Sequence, residues 1–296
     1  KSTFNADDAS LSVDLSEARQ AVKENRFQDA LDLFAIILKD DPEHIDSLYL
    51  ASVSSRYLKK FEESKKFIER LMGIAPDMGR AYQELGHIYR DMGKIDKSAV
   101  HYRQACELNP ALLASWSALY KYFTENKNQP AADHAREQIE KLQSLPPALL
   151  YIDQIMNEGR LGIAETQCRA FLKKNPTHTY AMSLLSEIAN RLGYFDDAEF
   201  LLEKAVEFKP KDGDLRMKYA QILRKKQKFA KTLEQVNILC DQYPDNHSYQ
   251  AQKASEIMQN GDHEAAIKLL DNILQKNPYN FSTFTSKGHA QKTLGQ

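Results

Sequence analysis

"AYQELGHIYRDMGKIDKSAVHYRQACELNP", residues 81–110, carries its apolar side chains at two sets of helical spacings. Tyr82, Leu85, Ile88 and Tyr89 form the first set; Ile95, Ala99, Tyr102 and Ala105 form the second. Steps of three and four residues place each set on one stripe of an α-helix. Gly93 sits between the stripes and suits the left-handed turn that ends a helix. Pro110 stops the second helix, because it has no N–H to donate to the helical ladder. The stretch therefore predicts two amphipathic helices joined by a tight turn.

The same unit recurs in both directions. Pro42, Pro76 and Pro110 stand 34 residues apart, as do Pro176, Pro210, Pro244 and Pro278, while Pro110 and Pro176 are 66 apart. That gap is one period of 34 and one of 32. Small residues keep the same phase. Twelve positions before each marker stand Ala30, Ser64, Ser98, Ala164, Ala198, Thr232 and Ala266, and Ala132 fills the short unit. Close approach of two helices demands such residues. Earlier in each unit stand Ala18, Ser52, Gly86, Ser186, Ala220 and Ala254, a rule that Tyr120 and Ile152 break beside the short unit. Within that region Pro130 fits the first turn of a helix. Pro146-Pro147 replaces the usual linker, either as a stacking irregularity or as a hinge between sub-arrays.

A 34-residue helix-turn-helix with Tyr82, Leu85, Gly86, Tyr89, Ser98, Tyr102, Ala105 and Pro110 in these places resembles the tetratricopeptide repeat. The resemblance implies an all-α fold, an α-solenoid of stacked antiparallel helix pairs wound as a right-handed superhelix. It has about eight repeats and a half repeat. The expected organisation is an N-terminal segment over 1–10, units one to four over 11–144, and units five to eight over 145–280. Residues 281–296 form the first helix of a cut ninth unit, in which Phe284, Gly288 and Gly295 match Tyr82, Gly86 and Gly93. Such an end leaves an apolar face without its mate and favours self-association.

Composition excludes several functions. The 40 basic and 41 acidic residues balance to −1, so nothing calls for nucleic acid or an anionic membrane. Apolar runs reach about six residues, well short of the roughly 20 that span a bilayer. Cys106, Cys168 and Cys240 are far apart; they suit packed thiols in a reducing cytoplasm better than a disulfide framework or zinc site. The scattered histidines and the absence of nucleotide, metal or hydrolase motifs predict a non-catalytic chain without cofactor. Asp212-Gly213-Asp214 reads as an inter-repeat turn, Asp196-Asp197 as a helix start, and Trp116 as packing between repeats.

In the family that the repeats resemble, first helices line a concave groove that takes a protein or peptide. The corresponding phases here hold Arg19, Arg56, His87, Arg90 and Lys121, with Arg80 on the same wall. These arginines suit an acidic peptide or a phosphate, unless Asp46, Asp91 and Glu125 neutralise them as solvated pairs. The second half offers Asp153, Met156, Glu187, Asn190, Gln221, Arg224, Ser255 and Met258, a mixed and less charged set. The Lys/Asn/Arg clamp of chaperone-tail binders and the Asn ladder of glycosyltransferase-linked arrays are both missing from their phases. Longer stretches, among them "ACELNPALLASWSALY", "LPPALLY" and "LGYFDDAEFLLEKAVEF", resemble the N-terminal array of bacterial tetratricopeptide-repeat sulfotransferases. That likeness implies a recognition arm of a larger enzyme, and no residue of a sulfate-donor site is present to carry over.

Overall fold

The computed structural model describes residues 6–276 and 281–294, with the side chains of 6–14, 281 and 282 outside the description. Among the described residues there are seventeen α-helices and no strand. They fall into two compact units, one ending at Arg160 and the other beginning at Leu161. The proline phase alone places the change of sub-array at 144–145.

The first unit runs α1 (Ala6–Lys23), α2 (Phe27–Asp40), α3 (Ile45–Tyr57), α4 (Phe61–Ile74), α5 (Gly79–Asp91), α6 (Ile95–Leu108), α7 (Leu113–Glu125), α8 (Gln129–Gln143) and α9 (Pro147–Asn157). The odd-numbered helices α1 to α7 each pack along the following even one, and each pair then stacks on the next. Phe34, Ile37, Leu48, Ile68, Leu71 and Ile88 are fully buried between them. Each such side chain contributes roughly 1.5–3 kcal/mol by leaving water. The second unit runs α10 (Leu161–Lys174), α11 (Thr179–Arg191), α12 (Phe195–Phe208), α13 (Gly213–Lys225), α14 (Phe229–Gln242), α15 (His247–Gln259), α16 (His263–Lys276) and α17 (Phe281–Thr293). Its helices pack in the same consecutive order.

The turn inside each pair repeats one backbone device. Asn25, Lys59, Gly93, Lys127, Gly159, Gly193, Gln227 and Gly261 all have positive φ. Their spacing is 34 residues except for the 32 between Lys127 and Gly159, the same register that the prolines keep. The left-handed residue reverses the chain, and the next N–H closes the turn, as when Lys94 N donates to Tyr89 O at 2.8 Å. Half of these sites use glycine, so composition displays the turn at those four and only the repeat phase marks it at the others.

The small residues do what their phase predicted. Ala30, Ser64, Ser98, Ala132, Ala164, Ala198, Thr232 and Ala266 are all buried. At the α3–α4 crossing, the Ser52 hydroxyl donates to Ser64 O at 3.0 Å and the Ser64 hydroxyl donates to Ser52 O at 2.8 Å. At the α5–α6 crossing, a Cβ on Gly86 would stand 2.7 Å from the Tyr102 ring. Pro130 lies in the first turn of α8 and Pro147 opens α9, which at 11 residues is shorter than its neighbours. Asp196 and Asp197 fall in the first turn of α12, and Asp212 caps α13 by accepting from Leu215 N at 3.1 Å. Helix α17 packs on α16, with Thr283 and Ala290 buried and Phe284 exposed. Gly288 has open space where Gly86 has Tyr102, and Gly295 lies outside the described residues.

Candidate functional site

Of the six residues predicted to line a groove, Arg56 is the most enclosed. It leaves the end of α3 and reaches Glu84 on α5, with Nε donating at 2.6 Å and a second nitrogen at 3.4 Å. Its remaining nitrogen donates to Asp91 at 3.0 Å. Arg56 is 9 % exposed and Glu84 1 %. Burial opposes the Arg56 charge, but Glu84 outweighs it and holds the guanidinium protonated beyond its ordinary range. Burial also pushes the Glu84 carboxyl up, against the pull of Arg56. This pair fastens the second helix pair to the third.

Arg80 and Arg19 belong to a second cluster. Arg80 meets Glu158 at 2.5 Å and lies 4.9 Å from the centre of the Tyr49 ring. The contact with Glu158 is a close charge pair without aligned hydrogen bonds. Glu158 follows directly on α9, whose neighbour Gln154 is tied to the turn after α6. Asn109 donates to Gln154 O at 3.1 Å, and the Gln154 amide donates to Ala111 O at 2.9 Å. Arg19 is half exposed and pairs with Asp46. Arg19, Lys23, Arg80 and Arg160 surround a cavity of about 340 Å³ with Tyr49 and Tyr151.

His87, Arg90 and Lys121 converge on a different cavity, of about 430 Å³, between α5, α6 and α7. Its floor is apolar, from Ile95, Ala99, Tyr102 and Ala118. His87 Nδ1 bonds the Tyr102 hydroxyl at 2.5 Å. Burial first, then the charges of Arg56 and Arg90, push its pKa down to about 4, so it is neutral at pH 7. Arg90 pairs with its neighbour Asp91 at 2.9 Å, and Lys121 stands 3.9 Å from Glu125. Both cations are solvated, and such pairs are worth little.

The structure thus divides the six residues among three settings within the first unit. Sequence phase did not anticipate Glu84 and Glu158, the carboxylates that meet Arg56 and Arg80. The available signal for Glu84 was a charge at a first-helix phase where Leu50, Leu150 and Leu184 stand in other units.

In the second unit, Glu187, Asn190, Gln221 and Arg224 come together around a cavity of about 460 Å³, as their shared phase implies. Lys218 and Lys225 line it too, and they were not foreseen. Arg224 stands 3.3 Å from the buried Glu256.

The three thiols are buried. Desolvation pushes Cys106 and Cys168 up to about 12 and raises Cys240, so none is a nucleophile at neutral pH. Trp116 packs on the α6–α7–α8 core and donates to Pro110 O at 2.8 Å. Among the described residues no cluster of metal-ligating side chains occurs, and no helix is long and apolar enough to cross a membrane.

A tetratricopeptide-repeat family model matches residues 79–112 and 180–212, once in each unit. With the seventeen helices paired as described, the fold is an α-solenoid of tetratricopeptide type. No curated protein matches the chain significantly. Among solved structures, the chain is 16 % identical to one from the crystal structure of the APC/C hetero-tetramer Cut9-Hcn1, at a TM-score of 0.42. The match covers 97 % of this chain and 57 % of that one. It is 17 % identical to a chain in the structure of Naa15/Naa10 bound to HypK-THB, at a TM-score of 0.41, covering 93 % of this chain and 43 % of that one. The chain therefore spans about half the length of either. Neither the family model nor these structures bears on the sulfotransferase resemblance.

Proposed function

We propose that the chain is a non-catalytic tetratricopeptide scaffold that holds an acidic segment of a partner protein against the wall formed by α5, α6 and α7. The observation that carries this reading is the cavity where His87, Arg90 and Lys121 meet over an apolar floor. Arg90 and Lys121 supply charge at its rim, and their solvated pairs with Asp91 and Glu125 exchange for a ligand carboxylate at little cost. His87, neutral and bonded to Tyr102, supplies a flat wall for an apolar or aromatic side chain. Arg56 acts beneath this surface as a structural cation, since its nitrogens already serve Glu84 and Asp91.

Selection of a displayed dodecapeptide library on the immobilised chain tests the reading. Acidic peptides with an aromatic or aliphatic residue should be enriched. Arg90→Glu with Lys121→Glu should weaken the best of them on the order of tenfold in fluorescence anisotropy. Enrichment without acidic bias, or affinity unchanged by the double reversal, refutes it.

A further inference from the structure

Several cations of the second unit stand in carboxylate pairs. Lys226 and Lys228 share Glu199, Lys204 has Glu207, Arg169 has Glu165, and Arg224 has Glu256. Lys218 and Lys225 line one cavity and meet neutral acceptors instead. Lys218 donates to the Ser183 hydroxyl at 2.9 Å, and Lys225 donates to the Asn190 side-chain oxygen at 2.8 Å. Both acceptors are neutral, and among the described residues no carboxylate lies within 4 Å of either ammonium. Glu187, the acidic group on the same cavity, is already bound by Arg191 at 2.9 Å.

The two lysines also share one line. Lys218, Gln221 and Lys225 are spaced by three and four residues on α13 and all three are exposed, so they form one stripe of that helix. Seven residues at 1.5 Å each separate the lysines by about 10 Å along the axis. Asn190 and Ser186 face them from α11, and Leu202 and Ile222 form the floor of the cavity of about 460 Å³. Two unneutralised ammonium groups at that separation, joined by an amide and an apolar floor, fit two negative charges on one extended ligand. A polyproline II segment brings residues three apart to the same side at about 9 Å.

We infer that this cavity is a second peptide site, which binds an extended acidic segment through two carboxylates spaced three residues apart, one on Lys218 and one on Lys225. Asn190 and Gln221 hydrogen-bond the peptide backbone between them. The site belongs to the second unit and shares no residue with the cavity of the first, so either can fail without the other.

The probe is a fluorescein-labelled proline-rich dodecapeptide with the central sequence Glu-Pro-Pro-Glu, titrated with the full chain at low ionic strength. Binding should weaken on the order of tenfold for Lys218→Glu with Lys225→Glu, and the milder Lys218→Gln with Lys225→Gln should act in the same direction. Replacing both glutamates of the peptide by glutamine should abolish binding, and a Glu-Pro-Glu spacing should bind more weakly. Lys173→Glu with Lys174→Glu makes the same change in net charge at exposed lysines of α10 and should leave affinity unchanged. Circular dichroism should show all variants folded, since the substituted side chains are exposed. An equal loss in the α10 variant makes the binding a general charge effect and overturns the inference. So does a loss confined to the Arg90→Glu with Lys121→Glu variant, or equal affinity for the glutamine peptide.

Discussion

Removing Arg56 gives the sharpest test of how the first unit is held together. In Arg56→Met the carboxylate of Glu84, 1 % exposed, loses the guanidinium that meets it at 2.6 Å. A buried carboxylate deprived of its partner typically costs 3–5 kcal/mol. The group escapes part of that by taking up a proton. An ordinary Glu titrates near ~4.3, and keeping one protonated costs about 1.36 kcal/mol for each pH unit above that value, so the loss at pH 7 is limited to ~3.7 kcal/mol. The sign follows. With its folded pKa raised, Glu84 in the variant favours folding at low pH, and that stability is lost as pH rises from ~4.3. The deficit against the parent should therefore be about 3–4 kcal/mol at pH 7 and should shrink toward pH 4.5.

The partner substitution behaves differently. Glu84→Gln leaves Arg56 bound to Asp91 at 3.0 Å, so it should cost less than Arg56→Met. Replacing both by Met should recover most of the loss, since apolar residues of similar volume often equal a buried ion pair. Urea unfolding followed at 222 nm, at pH 7 and pH 4.5, measures all four species. A deficit for Arg56→Met below about 1 kcal/mol, or one that does not change with pH, refutes the buried-pair reasoning.

Three further outcomes follow from the same contacts. Gly86→Ala drives a methyl to 2.7 Å from Tyr102 and should destabilise by roughly 1–2 kcal/mol, whereas Gly73→Ala, open on all sides within α4, should stabilise by about 0.5–1 kcal/mol; thermal melts separate them. A thiol reagent at pH 8 should find Cys106, Cys168 and Cys240 unreactive in the folded chain and all three reactive in guanidinium, given their burial. His87, pushed down to about 4 from its ordinary 6.5, takes a proton more readily unfolded than folded. Its contribution is thus complete above pH 6.5 and is lost as pH falls toward 4. Replacing it by Asn should flatten the difference in Tm over that window, and an unchanged slope would count against its burial.

The helix pairs, their turns and their small-residue crossings were legible because each rests on local chemistry that repeats. Gly93 and Pro110 announce the turns, and Ser64 or Ala198 announces a crossing, whatever the rest of the chain does. Lys59 and Gln227 show where that legibility stops. They adopt the same positive φ as Gly93, yet only their phase in the repeat betrays it. The grouping of side chains around cavities was partly legible. Phase put His87, Arg90 and Lys121 on one cavity, and Glu187, Asn190, Gln221 and Arg224 on another.

Which of those charges remains available was not legible, because a salt bridge depends on distances across repeats. Arg56 and Arg90 look alike in sequence, two arginines at the ends of successive first helices. One is buried against Glu84 from 28 residues away, and the other sits in water beside its neighbour Asp91. Lys218 and Lys225 look like solvated helix lysines until α11 is placed opposite, where the neutral Ser183 and Asn190 meet them. Sequence by itself determined the periodic, helical, stacked fold, since burying one stripe per helix requires nothing beyond spacing. Only the tertiary structure decided the charges, because the worth of an ionic group depends on how far it stands from water and from its opposite.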